Sequence, residues 1–534
     1  MNRVGAVTFG AFLLLAGVSM TAEATEAPRE QPASRFPLWG PLTPGPHAVG
    51  YKVLYRFDPS RTWAETRPYG KSFSPDRLGR PMRISIWYPA SRPQGKPQRF
   101  EDYFRGGTAP KGFEDVEAQV LERDGGTYRG NFGDTAAALA ATPVNASVNA
   151  PAAKGRFPVV LTTGGQGALL TTNSTLAEYL ASHGYVVVTV FTLGRSQGEP
   201  SLGLSPSEVA ITVRDFEFTA GVVRDLPNVD PARLAMVGHS LGGSSAVLFA
   251  MQNTNVSAVV GLDGTYGFPN PPAVPGILSV TEGYHYAPGR MRAALLDLRR
   301  QQPFIDLGAV RAFRHSERYL LTVAQTQHSS FTTGAMHSLF LPEVEPNPSG
   351  ITRRSSGEGF YWSCEVVKAF LDLQLKADVN GLTRMKQAVE TNPRATMTHE
   401  PAMAPRPPPS TVLAQLEELG LDAVITTIEQ LRRELPEEPV VEEAVFNERG
   451  YALLGQQKPE QAVRVFRLVA HFHPTSANAA DSLGDAYVAA GQKEQARASF
   501  ERAIQLAPSD AALNTESRAS LLAESTRKLK ALTP

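Results

Sequence analysis

One short stretch of the chain carries the residues of a nucleophilic site: Gly238-His239-Ser240-Leu241-Gly242, followed by Gly243. It fits the pattern G-x-S-x-G. The apolar run ARLAMV precedes it and LGGSSAVLFAMQN follows, so the pattern is expected on a turn from a strand into a helix. A turn that tight admits little beyond glycine at its flanks, and it pushes the serine hydroxyl out at the helix N-terminus. The chemistry suited to such a serine is attack on an acyl carbon. An unassisted hydroxyl is a poor nucleophile, so a base must take its proton and an acid must orient that base.

With this turn the chain order is serine, then Asp or Glu, then His. The strand-like SAVVGLDG ends in Asp263, 23 residues after Ser240. Its rival is Glu282, which ends the next apolar run, PGILSVTEG; Asp263 is preferred for its shorter side chain and the loop Gly264-Thr265-Tyr266-Gly267 that can present it. Of the ten histidines, His285, His315, His328 and His337 follow the acid without falling in the linker or repeats. His328 closes the apolar strand RYLLTVAQTQ, where a loop can bring it over Ser240, and it is the expected base. The developing oxyanion needs backbone N–H donors, each contributing about 3 kcal/mol. Leu241 supplies one, and the loop Gly164-Gly165-Gln166-Gly167 supplies the other, assigned to Gln166. There is no HExxH and no Cys/His cluster, so the sequence implies neither a metal nor a cofactor.

These residues need a scaffold, and the text around them has its rhythm. FPVVLTTGGQG, YVVVTVFTL, ARLAMVGHS, SAVVGLDG, PGILSVTEG and RYLLTVAQTQH read as strands, several separated by amphipathic helices. Short continuous apolar strands alternating with helices predict an α/β domain with a mostly parallel sheet, over residues 45–395. Near its start, MRISIWYPA alternates as a half-buried strand would. Residues 396–410 are expected as a Pro-rich linker. Beyond it, Gly450/Gly484, Ala452/Ala486, Ala462/Ala496, Phe466/Phe500 and Pro474/Pro508 recur at period 34, the tetratricopeptide pattern of paired helices, over residues 411–534. Two repeats alone bury too little, so helices at 411–436 and 510–531 are expected as caps. The stacked helices suit a protein partner.

The remaining composition narrows the class. Lys+Arg and Asp+Glu both number 52, which removes the electrostatic case for nucleic acid. Residues 1–24 have a basic start, an apolar run and Ala22-Glu23-Ala24, the pattern of a cleaved signal peptide; residues 25–44 read as an irregular lead-in. No later stretch reaches the ~20 apolar residues of a membrane span. The expected location is periplasmic or extracellular. The single cysteine, Cys364, lies at helical spacing in YWSCEVVKAFLDLQL and is expected in the core.

Taken together, MRISIWYPA, FPVVLTTGGQG, LASHGYVVV, GHSLGG, VVGLDG and QTQHSSF resemble the platelet-activating-factor acetylhydrolase and dienelactone-hydrolase-like group over roughly residues 45–375. The resemblance implies an α/β-hydrolase fold and cleavage of carboxylic esters, the substrate being a small-molecule or lipid ester of short or oxidised acyl chains. In the acetylhydrolase branch the acid follows the strand after the nucleophile, and the base is a His with Phe three residues on. Asp263, His328 and Phe331 match those places. Two features depart from the group: Gly164-Gly165 stands where many relatives have His-Gly, and the tetratricopeptide tail is not typical of it. Other readings use the same residues. A serine peptidase or amidase, or a polyester hydrolase, would need the same triad; a non-catalytic protein would use only the repeats.

Overall fold

The computed structural model describes residues 37–63, 78–96, 98–105, 108–197, 199, 201–203, 205–267, 286–302, 306–343, 345–347, 350–404, 406–434 and 440–532. The signal-peptide expectation, most of the lead-in, Glu282 and His285 lie outside them. The chain divides into two compact units, Met1–Met403 and Ala404–Pro534.

Among the described residues the first unit holds a ten-stranded sheet. Its strands are β1 (Ala48–Asp58), β2 (Arg80–Ala90), β3 (Ala146–Val148), β4 (Phe157–Thr163), β5 (Val186–Val190), β6 (Val229–His239), β7 (Val256–Leu262), β8 (Ala294–Arg300), β9 (Arg318–Val323) and β10 (Ala395–Glu400). They lie in the order β10-β9-β8-β7-β6-β4-β5-β2-β1-β3. From β5 to β9 the neighbours run parallel, while β2 enters antiparallel to β5 and β10 closes the far edge antiparallel to β9. Successive side chains of a strand point to opposite faces, and both faces are covered here. Val160, Ala235, Val237, Val260 and Leu296 join one core; Val159, Leu161, Met236, Val259 and Leu295 join the other. Each buried Val or Leu contributes about 1.5–3 kcal/mol, so the central strands are fixed on both sides.

Three elements differ from the sequence reading. Strand β2 is buried along its whole length rather than on one face. Its polar residues are matched instead of solvated: Arg80 pairs with Asp215, and Arg83 donates to Glu117 Oε1 at 2.5 Å, Ser85 Oγ at 2.8 Å and the Tyr103 carbonyl at 3.1 Å. Strand β8 was absent from the sequence reading, because AALLDLRR consists of good helix formers with charges among them. Tertiary pairing overrides that preference: β8 lies between β7 and β9, and the Tyr266 hydroxyl donates to Asp297 at 2.7 Å. Finally, the first part of the expected linker is strand β10. Ala395 and Met397 pack on the core while Glu400 meets Arg318 at 3.1 Å, which suits a charged edge.

The second unit is helical, with helices Pro409–Glu418, Leu421–Glu434, Glu443–Gly455, Pro459–Phe472, Ala477–Ala489, Lys493–Leu506 and Thr515–Ala531. The stretch expected as one leading cap is thus two helices. A Cβ on Gly450 would lie 2.3 Å from the ring of Phe466, and one on Gly484 would lie 2.4 Å from that of Phe500. Each repeat therefore uses a missing side chain to seat its aromatic, which is why both residues recur together at period 34.

Candidate active site

Ser240 joins the end of β6 to the helix Leu241–Gln252 with φ 57° and ψ −126°, a strained conformation for a residue with a side chain. The bend is closed so tightly that a Cβ on Gly238 would stand 2.2 Å from the Gly242 carbonyl oxygen. Two backbone hydrogen bonds tie this bend to the neighbouring strand end. Ser240 N–H donates to the Leu262 carbonyl at 3.0 Å, and Thr265 N–H donates back to the Ser240 carbonyl at 3.1 Å. The serine and the loop after β7 are in this way one rigid corner.

Asp263 opens that loop, also with positive φ (48°), and its N–H donates to Leu298 of β8 at 2.7 Å. The turned backbone aims the carboxylate at the sheet end, where Oδ2 accepts the Nδ1–H of His328 at 2.6 Å. That bond leaves Nε2 of a neutral His328 as the acceptor nitrogen. Asp263 is buried while the His328 side chain is 38% exposed, so the acid is held inside and the imidazole faces outward. Burial alone would raise the Asp263 carboxyl. The His328 hydrogen bond and the Arg300 guanidinium outweigh it and hold the carboxyl below the usual range.

His328 begins a short 3-10 turn, His328–Phe331, just after β9. Phe331 is buried, and Ser330 Oγ meets both the Gln327 N–H at 3.1 Å and Ser356 Oγ at 2.7 Å, so the turn is anchored from below. His239, set aside in the sequence reading because it precedes the acid, contributes here. Its Nε2 donates to the His328 carbonyl at 3.0 Å, and the two rings lie 4.4 Å apart. Burial first, and His328 second, push His239 down to about 4, which keeps it a neutral donor. The only sequence signal for it was a histidine inside the G-x-S-x-G pattern.

The loop after β4 runs beside the serine. A Cβ on Gly165 would come 3.0 Å from Ser240 Oγ. Gln166 and Leu241, expected as the oxyanion donors, line the same small cavity of about 30 Å³ with Gly164, Gly165 and Gly167. Leu241 is the first residue of its helix, so its N–H has no acceptor within the helix. Sequence reasoning missed what secures this loop. Asp124, on a π-helical turn (Leu121–Gly125), accepts from Leu170 N–H, Thr171 N–H and Thr171 Oγ1 at 3.1, 3.2 and 2.9 Å. Burial pushes its carboxyl up to about 6.

The other candidates stand apart. His315 bonds to the Met403 carbonyl at 3.2 Å, and His337 is buried among Phe100, Tyr128 and Phe132. Cys364 is buried in the helix Arg353–Lys376, and burial raises its thiol well above the ordinary value. Among the described residues there is no group of three His, Cys, Asp or Glu that could hold a metal ion, and no helix is long and apolar enough to cross a membrane.

Comparison with known proteins gives a coarse placement. The family described as Chlorophyllase matches residues 117–283, and the family described as Tetratricopeptide repeat matches residues 477–510. No curated protein matches the chain. A solved structure, a ferulic acid esterase from Streptomyces cinnamoneus, is 21% identical with a TM-score of 0.45, covering 66% of this chain and 96% of its own. The first unit is similar to an esterase-like family and has the α/β-hydrolase fold, with a mostly parallel sheet flanked by helices; the second is an all-α domain of tetratricopeptide type.

Proposed function

We propose that the chain is an exported serine hydrolase that cleaves carboxylic esters through an acyl-serine intermediate. The observation that carries this reading is the Asp263–His328 hydrogen bond at the same strand ends as the strained Ser240 turn. His328 takes the Ser240 proton as the hydroxyl attacks the ester carbonyl, and Asp263 stabilises the imidazolium that results. The N–H groups of Leu241 and Gln166 receive the oxyanion. His328 then returns the proton to the leaving alcohol, and water repeats the sequence to release the acid. The match to the Chlorophyllase family supports ester hydrolysis over the peptidase reading, and short-chain or phospholipid-type acyl esters are the proposed substrates. The tetratricopeptide match supports a protein partner for the second unit.

The test is a substrate panel: p-nitrophenyl esters from two to sixteen carbons, a phospholipid ester, a polyester film and aminoacyl anilides, with native protein and Ser240→Ala. Ester turnover abolished by Ser240→Ala is expected. Turnover of anilides alone, or full activity in the variant, would overturn the reading.

A further inference from the structure

Asp263 serves two cations. Its Oδ2 accepts the Nδ1–H of His328 at 2.6 Å and forms an ion pair with Arg300, whose Nε lies 2.9 Å away, while Oδ1 accepts the Arg300 backbone N–H at 3.3 Å. Arg300 is the last residue of β8, so its backbone and guanidinium grip the carboxylate from one position. With its amide turned to satisfy both groups, Gln302 presents its oxygen to the same guanidinium. The Arg300 side chain is 27% exposed and the carboxylate 6%, so the pair sits at the rim with the anion inward.

We infer that Arg300 is a positioning residue that sets the acid limit of this site, sharing Asp263 so that the carboxylate is aimed at His328 while its negative charge is partly neutralised. A carboxylate beside an imidazole favours the protonated ring; a second cation on the same oxygen opposes that. Arg300 thus offsets part of the charge by which Asp263 acts on His328. Among the described residues, Asp263 from the loop after β7 bonds the His328 imidazole and His239 from the end of β6 packs its ring against it, while Arg300 from the end of β8 acts on it through Asp263. His239 is held neutral by burial and so does not supply this effect.

The inference rests on the acyl-serine reading, and its test separates the two. The profile of kcat/KM against pH is measured with a short p-nitrophenyl ester for native protein, Arg300→Gln and Arg300→Lys. Expected is an acid limb displaced upward by about one pH unit in Arg300→Gln, about tenfold less activity on that limb, with the native position largely restored in Arg300→Lys. A loss of equal size at every pH would show a merely structural role and overturn the inference, while native protein that never acylates at Ser240 would overturn the reading beneath it. Should Arg300→Gln fail to fold, Arg300→Cys replaces it, labelled by a cationic or a neutral alkyl methanethiosulfonate that leaves an alkyl disulfide on the thiol and releases methanesulfinate, since Cys364 is buried. Identical profiles for the two adducts would also sink the inference.

Discussion

His239 donates a hydrogen bond from Nε2 to the carbonyl of His328, 3.0 Å away, and so links the residue before the serine to the residue assigned as its base. The ends of β6 and β9 are held in register by it across the two intervening strands. Burial lowers the proton affinity of this ring to about 4, so above that pH it stays a neutral donor. Replacing His239 by Phe keeps the ring and removes the donor. The expected result is a fall in kcat of about tenfold with a smaller change in KM, consistent with the loss of one positioning bond worth about 1 kcal/mol plus some drift of the imidazole. Steady-state kinetics on one ester checks it.

The acid assignment yields a sharper contrast. Asp263→Asn removes the carboxylate that orients His328 and stabilises its positive form. It is expected to lower kcat by about 10³- to 10⁴-fold. Glu282→Gln is expected to stay within about threefold of native. Parallel kinetics on both variants decides between the two carboxylates, and the opposite ranking would transfer the role to Glu282.

Gly165 tests the closeness of the loop proposed to hold the oxyanion. An added methyl would lie 2.8 Å from Ser240 Cβ and 3.0 Å from its Oγ, so either the loop or the serine must shift. Gly165→Ala is expected to lower kcat about a hundredfold, the size of losing one oxyanion donor, while costing only about 1–2 kcal/mol of stability. Kinetics and a urea melt on the same sample separate the two effects.

His337 gives the fold a pH dependence of its own. Its ring is fully buried, edge-on to Phe100 at 4.5 Å and to Tyr128 at 5.2 Å, and burial lowers its proton affinity to about 3. The folded chain thus binds this proton less readily than the unfolded chain does. Its contribution is intact above the unfolded value of about 6.5 and is lost as pH falls toward 3. Between pH 7.5 and 4.5, urea unfolding of native protein is expected to lose about 3 kcal/mol more than that of His337→Leu. Equal losses would contradict this.

Much of the site could be read from the sequence because its signals are local. The glycines around Ser240 are imposed by one bend, and Asp263 and His328 stand just past apolar runs that form β7 and β9. What escaped depends on distant partners. Strand β8 looks helical until Tyr266 pairs with Asp297, and without β8 there is no reason to place Arg300 beside Asp263. Asp124 reaches residues 170 and 171, and His337 rests on rings from residues 100, 128 and 132; no periodicity encodes such contacts. The buried polar face of β2 was missed for the same reason, since Arg83 is matched by Glu117 rather than by water.

The central claim is that Ser240 is the nucleophile activated by His328. Its most direct measurement is reaction of the native protein with a fluorophosphonate, followed by mass mapping of the labelled peptide. One label per chain, on Ser240, formed far more slowly in His328→Ala, is the predicted result. A label on another serine, or an unchanged rate in His328→Ala, would contradict it.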